Sequence, residues 1–210
     1  MTAHTSDTST RRLEIIAAII LSLASLLTAW SSYQAAQWSR TQSIKSNSAV
    51  TRMVESSQFS TLASQDALVD VITFTGWLEA MSTGDQVLAD FYRARFRTEF
   101  MPAFEAWVAL KPLQNPEAPS SPFAMANYNP ANRQAAATRQ DEAAVLQAES
   151  RAAAEYAELY VRNTLFLASA LFFIGMSRTF TAYKVRLALE ILAAILLVIG
   201  LVNTFSVPTA

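Results

Sequence analysis

Residues 13–82 read LEIIAAIILSLASLLTAWSSYQAAQWSRTQSIKSNSAVTRMVESSQFSTLASQDALVDVITFTGWLEAMS. This stretch holds no Pro, and Gly76 is its only Gly. Its first part, residues 13–30, is apolar, and about 18 such residues suffice to cross a hydrocarbon core of roughly 30 Å. Its second part is polar, yet nothing in it stops a helix. The pattern predicts one helix that leaves a membrane and continues as a stalk. A second breaker-free run, residues 130–176 with Gly175 at its far end, goes the other way, polar first and apolar last.

Composition agrees. Of 210 residues, 52% are hydrophobic and only 16% charged, with mean hydropathy +0.21, which is apolar for a soluble domain. The net charge of -1 gives no electrostatic reason to expect nucleic acid as a partner. With no Cys at all, disulfides, thiolate metal sites and a Cys nucleophile are excluded. The single histidine, His4, cannot alone form a His-rich metal site or a His-based acid–base pair. No P-loop, nucleophile elbow or Gly-rich cofactor turn occurs, so neither a cofactor nor an enzyme is expected.

Outward from the opening stretch, residues 1–12 are small and hydroxylic and read as a disordered tail. Residues 13–30 form the first span. A cleaved signal peptide would begin similarly, but the small-x-small pattern around Leu27, Thr28 and Ala29 is poor and favours an uncleaved anchor. Residues 31–162 make an extramembrane helical domain. Its long stalks cover about 31–82 and 130–162, its short helices about 86–110, and its proline-rich loop 111–129. The second and third spans are residues 163–180 and 187–205. Arg11, Arg12, Arg178, Lys184 and Arg186 place the N-terminus and the turn between the last two spans in the cytoplasm. Residues 31–162 then lie on the periplasmic or extracellular side.

Within the outer domain, Val71, Phe74, Leu78 and Met81 step by three and four, with Trp77 widening the stripe. Gly84 suits a left-handed helix stop and Asp85 an N-cap. Leu88, Phe91, Phe96 and Phe100 fall near one face of a helix from about Gln86 to Phe100. Asn129-Pro130 reads as N-cap then N1. The alanine-rich run after Pro130 allows close approach by the Ser- and Ala-rich stalk. The fold class is therefore all-α: three transmembrane helices, the first two extended into an antiparallel extramembrane hairpin capped by short helices.

Glu14 and Glu190 lie in or beside apolar spans. Intramembrane acids suggest ion or proton transfer. Against that, Glu14 is close to Arg12 and Glu190 is one turn past Arg186, so pairing or snorkelling near the inner interface also satisfies them. Trp30, Tyr33, Trp38, Tyr156 and Tyr160 read as interface anchors of an aromatic belt. Arg93, Arg95 and Arg97, with Asp90, Glu99 and Glu105, read as a solvated charged face.

Four phrases, AWSSYQAAQWSRTQS, LADFYRARFRTEFMPAFEAW, NPEAPSSPFAM and LFFIGMS, resemble a family of small bacterial inner-membrane proteins of unknown function. The resemblance covers most of the chain and implies a multi-pass inner-membrane protein with three spans and no catalytic residues. The expectation is a membrane-anchored scaffold that presents an aromatic tip. Its partners would be the lipid bilayer and either further copies of itself or another membrane protein. A channel or transporter subunit using Glu14 and Glu190, or a periplasmic-domain sensor with its output on a partner, are the alternatives.

Overall fold

The computed structural model describes residues 4–112 and 114–210, without the side chains of residues 4–10, 12 and 13. Every regular element among them is helical. The order is α1 (His4–Thr83), α2 (Gln86–Arg93), α3 (Met101–Ala109), a 3-10 turn (Pro122–Ala124), α4 (Ala131–Ser177) and α5 (Tyr183–Ser206). Three of these helices, α1, α4 and α5, are long and apolar enough to cross a membrane.

Helix α1 is already formed at His4, where the sequence suggested a disordered tail; the rest of that tail, residues 1–3, lies outside the described residues. Extending an existing helix fixes one residue per hydrogen bond, so propagation carries it into a stretch that would not nucleate alone. At its other end Gly84 adopts φ +77. Its N–H donates to Met81 O at 3.3 Å and that of Asp85 to Ala80 O at 2.9 Å, the paired bonds of a Schellman stop. Asp85 then caps α2, accepting from Leu88 N at 3.0 Å.

Several boundaries differ from expectation. Helix α2 ends at Arg93 rather than near Phe100, and α4 begins one residue later than the cap pattern suggested. The Pro130 carbonyl already accepts from Arg133 N and Gln134 N, so Pro130 is itself the capping residue. Helix α4 ends at Ser177, three residues short of the expected 180, and α5 starts at Tyr183, four residues ahead of the expected 187.

The chain divides into two compact units, Met1–Asn47 with Gln147–Ala210, and Ser48–Leu146. In the first, α1, α4 and α5 pack around Ala17, Ile20, Ala24, Leu167, Ile174, Ala193 and Leu197. Three of these seven are Ala, and many large apolar side chains point outward instead. Leu26 is 69% exposed, Leu165 65%, Phe172 60% and Phe205 80%. Small residues inside let helices approach closely. One close approach is at Gly200, where an added Cβ would overlap Leu167 Cδ2 and sit 2.9 Å from its Cγ. Contacts between α1 and α4 run antiparallel: Asn163 reaches Ser31, Tyr156 packs against Trp38, and Glu149 pairs with Lys45.

In the second unit the α1 and α4 segments are again antiparallel. Arg52, Glu55, Arg139 and Glu142 close a four-membered ring of ion pairs at 2.8–3.1 Å, two within helices and two between them. A closed network fixes register better than isolated surface pairs. Ser56 Oγ donates to Ala136 O at 2.8 Å, a contact that requires the small side chains on both helices.

Candidate functional site

The second unit is held by an aromatic core. Phe74, Phe96, Phe100, Phe104, Trp107 and Tyr128 are buried, with Trp77 and Phe123 packed against them. Edge-on pairs dominate, such as Phe74 with Trp107 at 5.3 Å and Phe96 with Phe104 at 4.8 Å, the geometry favoured by ring quadrupoles. The aromatic tip expected to face a partner is thus largely the unit's own interior. The chain turns out of helix after Arg93 because Phe96 and Phe100 both enter this core.

The helical stripe is also rotated from the one read in the sequence. Val71 is 41% exposed, while Asp70 is fully buried beside Phe74. In α2 the buried residue is Ala89, and Leu88 and Phe91 face outward. What pulls an acid inside is Arg97. Its guanidinium reaches Asp70 Oδ2 at 3.2 Å, Asp66 Oδ2 at 3.1 Å and Glu99 Oε2 at 2.9 Å. Tyr128 donates its hydroxyl to Asp70 Oδ2 at 3.1 Å, and Asn132 Nδ2 donates to Asp66 Oδ2 at 2.7 Å. Burial pushes the Asp70 carboxyl up, outweighing the downward pull of Arg97 and Tyr128. The Tyr128 phenol is pushed up to about 12, first by burial and then by Asp70.

Arg97 was expected on a solvated face together with Arg93 and Arg95. It is instead a clamp joining α1 to the turn before α3, and Tyr128 ties the segment leading into α4 to the same Asp70 carboxylate. A signal was present in the sequence: Asp66 and Asp70 are one helical turn apart, and like charges at that spacing need a shared cation. Arg93 meets Glu105 at 3.6 Å in an exposed pair, and Arg95 lies 3.3 Å over the Phe91 ring. The carboxylates of Asp66 and Asp70 are engaged by this clamp, which suits a structural role better than acid–base chemistry. In the same unit, Trp77, Leu78, Met81, Trp107, Val108, Lys111, Pro112 and Gln114 line an apolar groove of about 210 Å³. The Trp107 indole donates to Pro119 O at 2.7 Å, tying down the proline-rich loop.

Glu14, Glu190 and the five expected interface anchors lie in the first unit. Glu190 is buried, and its Oε1 accepts from Arg186 Nε at 3.1 Å. Glu14 is exposed and shares a groove with Arg178 and Arg186; the Arg12 side chain lies outside the described residues. Trp30 and Tyr33 are exposed, with ring centroids 6.0 Å apart. Trp38, Tyr156 and Tyr160 have a different setting. The Trp38 and Tyr156 rings meet at a tilt with centroids 4.8 Å apart, and Trp38 Nε1 donates to Pro208 O at 3.1 Å. Tyr160 is buried and its hydroxyl donates to Val207 O at 3.2 Å. Its ring is therefore committed to the segment after α5 and is not available as an exposed anchor.

Sequence reasoning missed one more set. Asn163 Nδ2 donates to Ser31 Oγ at 3.1 Å and to Thr204 Oγ1 at 2.8 Å, all three side chains being buried. This joins α1, α4 and α5 through one amide. An isolated Asn at the start of an apolar run was the available signal. Comparison with family models, characterised proteins and solved structures gave no match.

Proposed function

We propose that this chain is a membrane-anchored helical scaffold without catalytic activity, acting through further copies of itself or another membrane protein. The observation that carries this is the inverted pattern of the first unit. Its interior holds alanines and the hydrogen-bonded Ser31–Asn163–Thr204 set, while Ile15, Ile19, Leu26, Leu165, Phe172, Ile195, Val198 and Val202 face outward. A soluble bundle would hide those side chains, because contiguous apolar surface of this extent drives association in water. In lipid they cost nothing, and interhelical polar contacts take over the adhesion.

The membrane is the bacterial inner membrane in this reading, in keeping with the four family-like phrases. The N-terminus and the α4–α5 turn are cytoplasmic, following Arg11, Arg12, Arg178, Lys184 and Arg186, and the stalks form the extramembrane hairpin.

A scaffold is favoured over a channel because the interior is filled by side chains and the buried acid, Glu190, is already paired with Arg186. Reconstitution in liposomes tests this. Protein-dependent ion flux abolished by Glu190→Gln would replace the scaffold with the channel, whereas absence of flux together with crosslinked oligomers in membranes supports the scaffold.

A further inference from the structure

Glu14 of α1, Arg178 after α4 and Arg186 of α5 frame one groove of about 300 Å³ in the first unit. Glu14 and Arg178 are exposed, and neither makes an ion pair among the described residues. Arg186 is different. Its Nε is held by Glu190 Oε1 at 3.1 Å, on a carboxylate that is only 4% exposed. That contact fixes the guanidinium plane and leaves the two terminal nitrogens for another acceptor. Glu190 also cancels one of the two positive charges. The groove therefore offers two guanidiniums and one free carboxylate, with no excess of positive charge.

That donor set selects its ligand. A phosphodiester takes the planar forks of Arg178 and Arg186. A free carboxylate beside them repels a purely anionic ligand but welcomes one that carries its own cation. A primary ammonium, with three donors, satisfies Glu14 better than a quaternary ammonium, which has none. The exposed rings of Phe180 and Tyr183 and the exposed Ile15 flank these positions in sequence, giving apolar surface for acyl chains.

We infer that this groove binds the headgroup of an aminophospholipid, the phosphate on Arg178 and Arg186 and the ammonium on Glu14. The assignment rests on the membrane reading above, which puts these residues at headgroup depth.

The test uses the full chain in phosphatidylcholine vesicles carrying equal minor fractions of phosphatidylethanolamine and phosphatidylglycerol. After mild detergent extraction, the retained lipids are quantified by mass spectrometry. Phosphatidylethanolamine should be enriched over both other lipids. Glu14→Gln should cut its preference over phosphatidylglycerol roughly tenfold, the scale of one charge-assisted contact. Arg178→Gln should lower retention of both phosphate-bearing minor lipids. Soluble glycerophosphoethanolamine at matched concentration should not displace the lipid, and displacement would overturn the assignment to a membrane source. A chain that enters the vesicles with no enrichment, or a Glu14→Gln variant with unchanged preference, overturns the headgroup site and leaves the membrane reading intact. A chain that stays in the aqueous phase overturns the membrane reading itself.

Discussion

The guanidinium of Arg97 sits 3.2 Å from Oδ2 of Asp70, a carboxylate with no solvent exposure. The second oxygen, Oδ1, has no hydrogen-bond partner among the described residues. The pair thus carries a large desolvation cost that only Arg97 and Tyr128 offset.

Removing one partner exposes that cost. Arg97→Met should destabilise the protein by about 3–5 kcal/mol, because it strands a buried charge. Asp70→Asn combined with Arg97→Met should recover a large part of the loss, since no buried charge then remains. Denaturant unfolding of both variants in detergent measures the difference. Strictly additive effects would show that the two side chains are not coupled.

The same cluster gives the stability a defined pH dependence. In the folded protein Tyr128 holds its proton up to about 12, against 10.0 for a free phenol. The native state therefore binds more protons across that interval, and its stability falls as pH rises. The stabilisation is complete below pH 10 and lost through about 12. Tyr128→Phe should flatten this alkaline loss in unfolding measured across the interval. Asp70 has the same sign at the acid end. Burial raises its carboxyl above 3.8, so its contribution is full below that value and declines as pH rises through the raised one. The stability difference between wild type and Asp70→Asn should accordingly move in favour of the variant as pH rises from about 4.

Two glycines near the apolar core should behave oppositely. At Gly200 a Cβ meets the buried Leu167 side chain, so Gly200→Ala must push α5 from α4 or force Leu167 off its rotamer. A loss of about 1–3 kcal/mol is expected. At Gly175 nothing lies within 4 Å of the added atom, and Gly175→Ala should be neutral or stabilising by up to roughly 1 kcal/mol through helix propensity. Thermal unfolding in one detergent compares them directly.

Much of the helical framework was legible from where breakers are absent. Residues 13–82 and 130–176 became α1 and α4 because nothing in them interrupts a backbone ladder, and Gly84-Asp85 stopped and restarted the chain through their own conformational preferences. What periodicity could not show was long-range chemistry. Phe96 and Phe100 have helical spacing, yet the aromatic core and the Arg97 clamp draw that segment into turns. Asp70 and Tyr128 are far apart in sequence, so the partner that lets an acid replace Val71 on the buried face is invisible locally. Tyr160 looked like a belt residue because it stands just ahead of the second apolar run, but the carbonyls that capture its hydroxyl come from beyond α5.

The proposal depends on outward-facing apolar side chains meeting lipid. The chain contains no native Cys, so single cysteines report position cleanly. Phe172→Cys, Ile195→Cys and Val198→Cys, made in a chain reconstituted in vesicles, should resist a membrane-impermeant maleimide, while Val50→Cys and Leu68→Cys react fast from one side. Rapid labelling at Phe172, Ile195 and Val198 in intact vesicles would contradict the membrane anchor.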